Sequence, residues 1–80
     1  MNSHRILIVE DEAIVAMDIE SRLTAMGYAF VGRAASAEQA LAMAEVERPD
    51  LVLMDIRLQD KMDGIDAARE IHQNFRIPVI

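Results

Sequence analysis

Acidic residues that follow two short apolar runs are the side chains in this sequence best suited to chemistry. Glu10 and Asp11 come directly after the apolar run 6–9. Asp55 comes directly after a second such run, 51–54. Carboxylates at these positions can bind a hard cation such as Mg²⁺, and one carboxylate can also act as a nucleophile toward phosphorus. Either chemistry requires that the two acidic segments lie close together in the fold.

Each of these acids also has a plain structural interpretation. Asp11 alone could cap a helix and Asp55 alone could begin a turn, since Asp is common at both places. Two acidic segments that each follow a buried strand, at the same edge of a sheet, favour a single site built from both segments instead. Glu12 is expected in the first turn of a helix, where a negative charge is favourable in any case, so we assign it no role in the site.

Strand and helix patterns alternate along the chain around these acids. The runs 6–9 and 51–54 are unbroken and apolar, which is typical of strands buried on both faces of a parallel sheet. Two further strands are predicted, a shorter one over 28–34 and one that begins at 77 and runs to the last residue, 80.

Three helices are predicted between these strands from apolar spacing and end signals. The first uses Asp11 as N-cap and stops at Gly27, and its predicted inward residues are Val15, Ile19, Leu23 and Met26. The second begins with a capping box at Ser36 and Gln39 and ends at 48–50, with an inward face of Ala37, Ala40, Leu41 and Ala44. The third follows Asp63 and Gly64, with Ile65, Ala68, Ile71 and Phe75 inward.

The resulting order is β-α-β-α-β-α-β. Such alternation favours an α/β fold in which a parallel sheet is joined by right-handed crossovers and covered by helices on both faces. Ligands of these sheets bind outside the carboxyl ends of the strands. Both acid segments lie at such ends, so the pattern predicts that they share one edge of the sheet.

Composition excludes several classes of function. The net charge is −6, from 14 acidic and 8 basic residues, which argues against sequence-independent binding of nucleic acid. There is no cysteine and therefore no disulfide or thiolate metal site. The sequence has neither a signal-peptide pattern nor an apolar run long enough to span a bilayer, so we expect a cytoplasmic protein with no membrane contact.

Three segments resemble the response-regulator receiver domains of two-component phosphorelays. ILIVEDE at 6–12 is similar to their first strand and acid pair, LVLMDIRL at 51–58 to the segment with the phospho-acceptor, and MDGI at 62–65 to the turn into their third helix. The resemblance implies a flavodoxin-like doubly wound sheet with strand order 2-1-3-4 here, a (βα)3β part of a (βα)5 fold. A receiver protein is a standard example of this order.

The resemblance also implies a function. Asp55 would accept a phosphoryl group from a phosphohistidine on a sensor histidine kinase, so the chain would catalyse at most its own phosphorylation and dephosphorylation. Mg²⁺ would bind directly to Asp11, Asp55 and the backbone carbonyl of Arg57, with Glu10 acting through water. No organic cofactor is implied.

The family pattern continues beyond residue 80, so we expect 1–80 to be an incomplete receiver domain that lacks the fifth strand and the last two helices. The family's Ser/Thr and Lys switch residues would lie in that missing part, and we therefore expect weak phosphorylation of residues 1–80 alone. An open edge at 77–80 predicts self-association, strand exchange or poor order there.

Two other functions fit the same residues. A phosphatase of the haloacid dehalogenase type also has a nucleophilic Asp after a strand, but it has a second Asp two residues later, where this chain has Arg57. A receiver-like interaction module that is never phosphorylated is the other alternative, and the intact acids count against it.

Overall fold

The computed structural model describes residues 4–54 and 64–80, with side-chain surroundings in the last helix described from residue 66 onward. Strands and helices alternate within these residues, as the sequence predicts. In chain order they are β1 (Arg5–Val9), α1 (Ala13–Ala25), β2 (Ala29–Ala34), α2 (Ala37–Glu47), β3 (Leu51–Met54) and α3 (Gly64–Phe75).

The three strands form one parallel sheet in the order β2-β1-β3. This order confirms the doubly wound α/β prediction. The central strand β1 is covered on both faces, and its four apolar residues, 6–9, are at most 2% exposed. The prediction that β3 is equally buried is wrong, because only Val52 in β3 is buried. Leu51 and Leu53 are half-buried, since α1 on their face packs on β1 and β2 rather than on β3.

Two apolar cores lie on opposite faces of the sheet. The larger core lies under α2 and α3 and contains Leu7, Val9, Ala34, Ala37, Ala40, Ala44, Val52, Ala67, Ile71 and Ile77. The smaller core lies under α1 and is built on Ile6, Ile8 and Ala16. Helices therefore cover both faces, which the buried pattern of β1 requires.

Helix α1 is rotated relative to its predicted orientation. Ala16 is buried and Ile19 and Leu23 are half-buried beside it. Val15 and Met26 were predicted to face inward, but they are 38% and 69% exposed. The small side chain of Ala16 lets the helix backbone approach β1 closely, and a helix that turns 100° per residue then directs Val15 away.

Both ends of α1 have clear physical causes. The prediction that Asp11 is the N-cap is wrong. The N-cap is Glu12, because its carbonyl accepts the first hydrogen bond of the helix, from the N–H of Ala16 at 3.0 Å. At the other end, Gly27 has φ +95°, its N–H donates to the carbonyl of Thr24, and the N–H of Tyr28 donates to the carbonyl of Leu23. This is the Schellman arrangement, in which glycine provides the left-handed residue that ends a helix.

The predicted Ser36 cap and alanine face of α2 are confirmed, although the side chain of Gln39 binds the residue before the cap rather than the cap itself. The hydroxyl of Ser36 accepts the N–H of Gln39 at 3.2 Å, and the side-chain oxygen of Gln39 accepts the N–H of Ala35 at 2.8 Å. The three buried residues of the helix are Ala37, Ala40 and Ala44. Alanines at these positions allow α2 to lie close to both the sheet and α3.

In α3, the predicted inward residue Ile71 is buried and Phe75 is half-buried. Ala67 is fully buried where Ala68 was predicted to face inward, and Ala68 is half-buried. The side chain of Ile65 lies outside the described region. The predicted fourth strand is present as a bridge between Val79 and Val52 beside β3. No helix in the described ranges is long and apolar enough to cross a membrane.

Candidate functional site

The carboxyl ends of the three strands meet at one edge of the sheet. Val9, the last residue of β1, pairs with Ala34 at the end of β2 and with Met54 at the end of β3. The next residue, Glu10, leaves the sheet between its two neighbours, and its N–H still donates to the carbonyl of Ala34 at 2.9 Å. The first acid of the predicted site is therefore fixed by the pairing of the central strand.

Three carboxylates gather at this edge. One carboxylate oxygen from each of Glu10, Asp11 and Glu12 lies within 4.8 Å of the other two. Glu10 is buried, with 6% of its surface exposed, whereas Asp11 and Glu12 are exposed. We refer to these three residues as the acid cluster.

The backbone of the cluster supports the buried carboxylate. Oε1 of Glu10 accepts the N–H of Glu12 at 3.1 Å, which gives this anion a charge-assisted hydrogen bond. Glu12 can donate because it precedes the helix, in extended conformation with φ −92° and ψ 112°. The N–H groups at the start of a helix have no partner within the helix, so a nearby carboxylate satisfies one of them.

Glu12 is the member of the cluster that sequence reasoning missed. It was expected in the first turn of α1 and given no role, but the helix begins one residue later and the Glu12 carboxylate lies with the other two. The available signal was the uninterrupted run of three acids after a buried strand. Such a run places at least two side chains near the strand end, whichever residue starts the helix.

The donor chemistry of the cluster fits a hard divalent cation. All three groups offer oxygen atoms, which Mg²⁺ prefers, and Mg²⁺ commonly binds through one or two carboxylates while it keeps several waters. Three like charges at this spacing repel one another, and a bound cation relieves that repulsion. The exposure of Asp11 and Glu12 leaves room for water or a phosphate-bearing partner on the open side.

Two predicted site residues, Asp55 and Arg57, lie outside the described residues. Asp55 follows Met54 directly in the sequence, and Met54 pairs with Val9, which directly precedes Glu10. The structure thus brings together the two strands whose ends carry the predicted acids. The roles assigned to Asp55 and to the Arg57 carbonyl stay predictions.

Comparison with known proteins gives a consistent result. Residues 6–80 match the response regulator receiver domain family. The transcriptional regulatory protein PdtaR of Mycobacterium tuberculosis is 43% identical over 76 residues, which are 95% of this chain and 37% of PdtaR.

Solved structures match over nearly the whole chain. The response regulator PhyR from Brucella abortus has a TM-score of 0.90 at 46% identity, covering 99% of this chain and 32% of that one. PhyR from Bartonella quintana, in complex with the anti-sigma factor NepR, has a TM-score of 0.89 at 44% identity, covering 98% of this chain and 32% of that one. The chain thus spans about a third of the length of each of these relatives.

Proposed function

This chain belongs to the response regulator receiver domain family, and we propose that it accepts a phosphoryl group on Asp55 in a reaction that requires Mg²⁺. The donor is a phosphohistidine of a sensor histidine kinase. The chain acts as a signalling switch rather than as an enzyme with an external substrate, since the phosphoryl group is later lost from Asp55 by hydrolysis.

The chemistry needs only a nucleophile, correct positioning and neutralised charge. A carboxylate oxygen of Asp55 attacks phosphorus, the P–N bond to the histidine breaks, and the imidazole leaves with the bonding electron pair. The product is an aspartyl phosphate. Asp11, Asp55 and the carbonyl of Arg57 would hold Mg²⁺ directly, and Glu10 would act through water. The bound ion supplies positive charge that offsets the charge on the phosphoryl oxygens.

One observation carries the proposal: the pairing of Val9 with Met54. It makes β1 and β3 neighbours, so the acid cluster after β1 and the segment after β3 leave the same edge of the sheet. Ligands of open α/β sheets generally bind at this edge, outside the carboxyl ends of the strands. Family membership supports phosphoryl transfer as the reaction, and the acid cluster supports the binding of a divalent cation.

The test is phosphorylation of the full-length protein by a small phosphodonor, such as acetyl phosphate, with and without Mg²⁺. We expect a mass increase of one phosphoryl group that needs Mg²⁺ and is removed by hydroxylamine, which cleaves acyl phosphates. Asp55→Asn should abolish the modification. Asp18→Asn, at an exposed acid on α1 that pairs with Arg22, should leave it unchanged.

Modification that persists in Asp55→Asn would overturn the assignment of the acceptor. A full-length protein that is never modified, by phosphodonor or by a kinase, would instead indicate the interaction module considered above.

A further inference from the structure

Arg33 is the second-to-last residue of β2, and its guanidinium binds the loop that carries the acid cluster. Its Nε donates to the backbone carbonyl of Glu10 at 2.9 Å, and its Nη2 donates to the backbone carbonyl of Asp11 at 3.0 Å. We infer that Arg33 is a positioning residue, which holds this loop in the conformation that gathers the three carboxylates for a divalent cation. The inference rests on the proposed Mg²⁺-dependent function.

A single peptide group connects Arg33 to the buried carboxylate. The carbonyl of Asp11 and the N–H of Glu12 belong to the same peptide, and every described peptide bond is trans. The two polar groups of a trans peptide point in opposite directions. Nη2 of Arg33 binds one side of this peptide, and Oε1 of Glu10 accepts from the other side at 3.1 Å. Arg33 therefore sets the plane that orients the Glu10 carboxylate.

Strand β2 holds the loop at a second point. The N–H of Glu10 donates to the carbonyl of Ala34 at 2.9 Å. With the two bonds from Arg33, three backbone groups of Glu10 and Asp11 are bound to two neighbouring residues of one strand. The cluster needs such restraint, because its three like charges favour conformations that separate them.

The planar fork of arginine suits this task. It presents several N–H donors in fixed geometry, so two carbonyls can be bound at once, whereas a lysine ammonium is a point charge on a flexible stem. Groups that orient metal ligands in this indirect way typically change metal affinity by 10- to 100-fold when they are removed.

Two roles for Arg33 predict opposite effects on cation affinity. If Arg33 acted only as a nearby positive charge, it would repel Mg²⁺, and its removal would strengthen binding. If it positions the loop, its removal weakens binding even though a repulsive charge is lost. The sign of the change therefore separates positioning from simple electrostatics.

The experiment titrates Mg²⁺ alone into the full chain and its variants, followed by backbone amide NMR. We expect Arg33→Gln to weaken Mg²⁺ binding about tenfold and Arg33→Lys to weaken it less, because lysine keeps one donor. Arg22→Gln removes the same charge from an exposed ion pair on α1 and should bind as the unaltered chain does. Affinity in Arg33→Gln that is equal to or tighter than in the unaltered chain would overturn the inference.

A second readout needs no metal. In metal-free Arg33→Gln, the amide proton of Glu12 should shift upfield as its bond to Glu10 weakens, while thermal unfolding confirms that the fold is intact. An unchanged Glu12 shift would refute the link between Arg33 and the carboxylate. If the unaltered chain binds no Mg²⁺, the proposed function fails, and this shift still decides the positioning role. Should Arg33→Gln not fold, the same measurements on Arg33→Lys decide the matter.

Discussion

The backbone N–H of Glu12 lies 3.1 Å from Oε1 of Glu10, so an exposed residue of the acid cluster holds the carboxylate of the buried one. This bond closes a short loop one residue before α1 begins. It needs an oxygen acceptor but not a charge. The charge of Glu10 and its structural contact can therefore be separated by a single substitution.

Glu10→Gln keeps an oxygen acceptor and removes one of three neighbouring negative charges. We expect the free energy of unfolding without Mg²⁺ to stay the same or rise, because repulsion within the cluster is reduced. We expect the extra stability gained on adding Mg²⁺ to fall, because Mg²⁺ that binds less tightly shifts the folding equilibrium less. Urea unfolding at several Mg²⁺ concentrations measures both quantities.

Glu45→Gln, at an exposed position of α2, is the matched control and should keep the full Mg²⁺-dependent stabilisation. Equal stabilisation of Glu10→Gln and the control would show that Glu10 does not take part in cation binding.

Ser36→Ala should lower the free energy of unfolding by about 1 kcal/mol, because the N–H of Gln39 loses its capping acceptor. Ser21→Ala, at an exposed position in the middle of α1, should be neutral or slightly stabilising, since alanine is the better helix former. Chemical denaturation of the two variants makes the comparison. Equal stability of the two would contradict a capping role for Ser36.

Ala40→Leu should destabilise the fold by about 1–3 kcal/mol, because Ala40 has no exposed surface in the core under α2 and the larger side chain has no space there. Ala42→Leu adds the same atoms at an exposed position of the same helix and should have little effect. The measurement is the urea midpoint of each variant. A stable Ala40→Leu protein would mean that α2 can move away from the sheet at little cost.

Gly27→Ala should lower the free energy of unfolding by about 1 kcal/mol, because the residue that ends α1 has φ +95°. An added Cβ would meet nothing within 4 Å, so the loss reflects backbone conformation and not a clash. Gly27→Asn should lose less, since asparagine adopts left-handed conformations more readily. Thermal unfolding of both variants tests this order, and the reverse order would contradict it.

Most of the elements could be predicted from local patterns. The continuous apolar run of β1, the cap at Ser36 and the stop at Gly27 each act through residues within a few positions of one another, so their effects can be read without knowledge of the fold. The alanine face of α2 was predictable for the same reason. The location of Glu10 and Asp11 at the end of a buried strand followed from the same local reading.

The errors concern features that depend on contacts across the chain. Spacing along α1 fits Val15 or Ala16 as the inward residue, and only packing against Ile6 and Ile8 selects Ala16. The start of α1 also differs by one residue from the prediction, and the loop before it is bound by Arg33, a residue more than 20 positions away in sequence.

The types of the acids and their places after strands are thus properties of the amino-acid order, because strand ends are set by local hydropathy. The convergence of Glu10, Asp11 and Glu12, and the contact of Arg33 with their loop, come from the assembled sheet. Parallel pairing of β1 with β2 places Arg33 beside a loop that lies more than 20 residues away from it in sequence. Long-range backbone hydrogen bonds and close packing, which have no local signature, therefore complete the site.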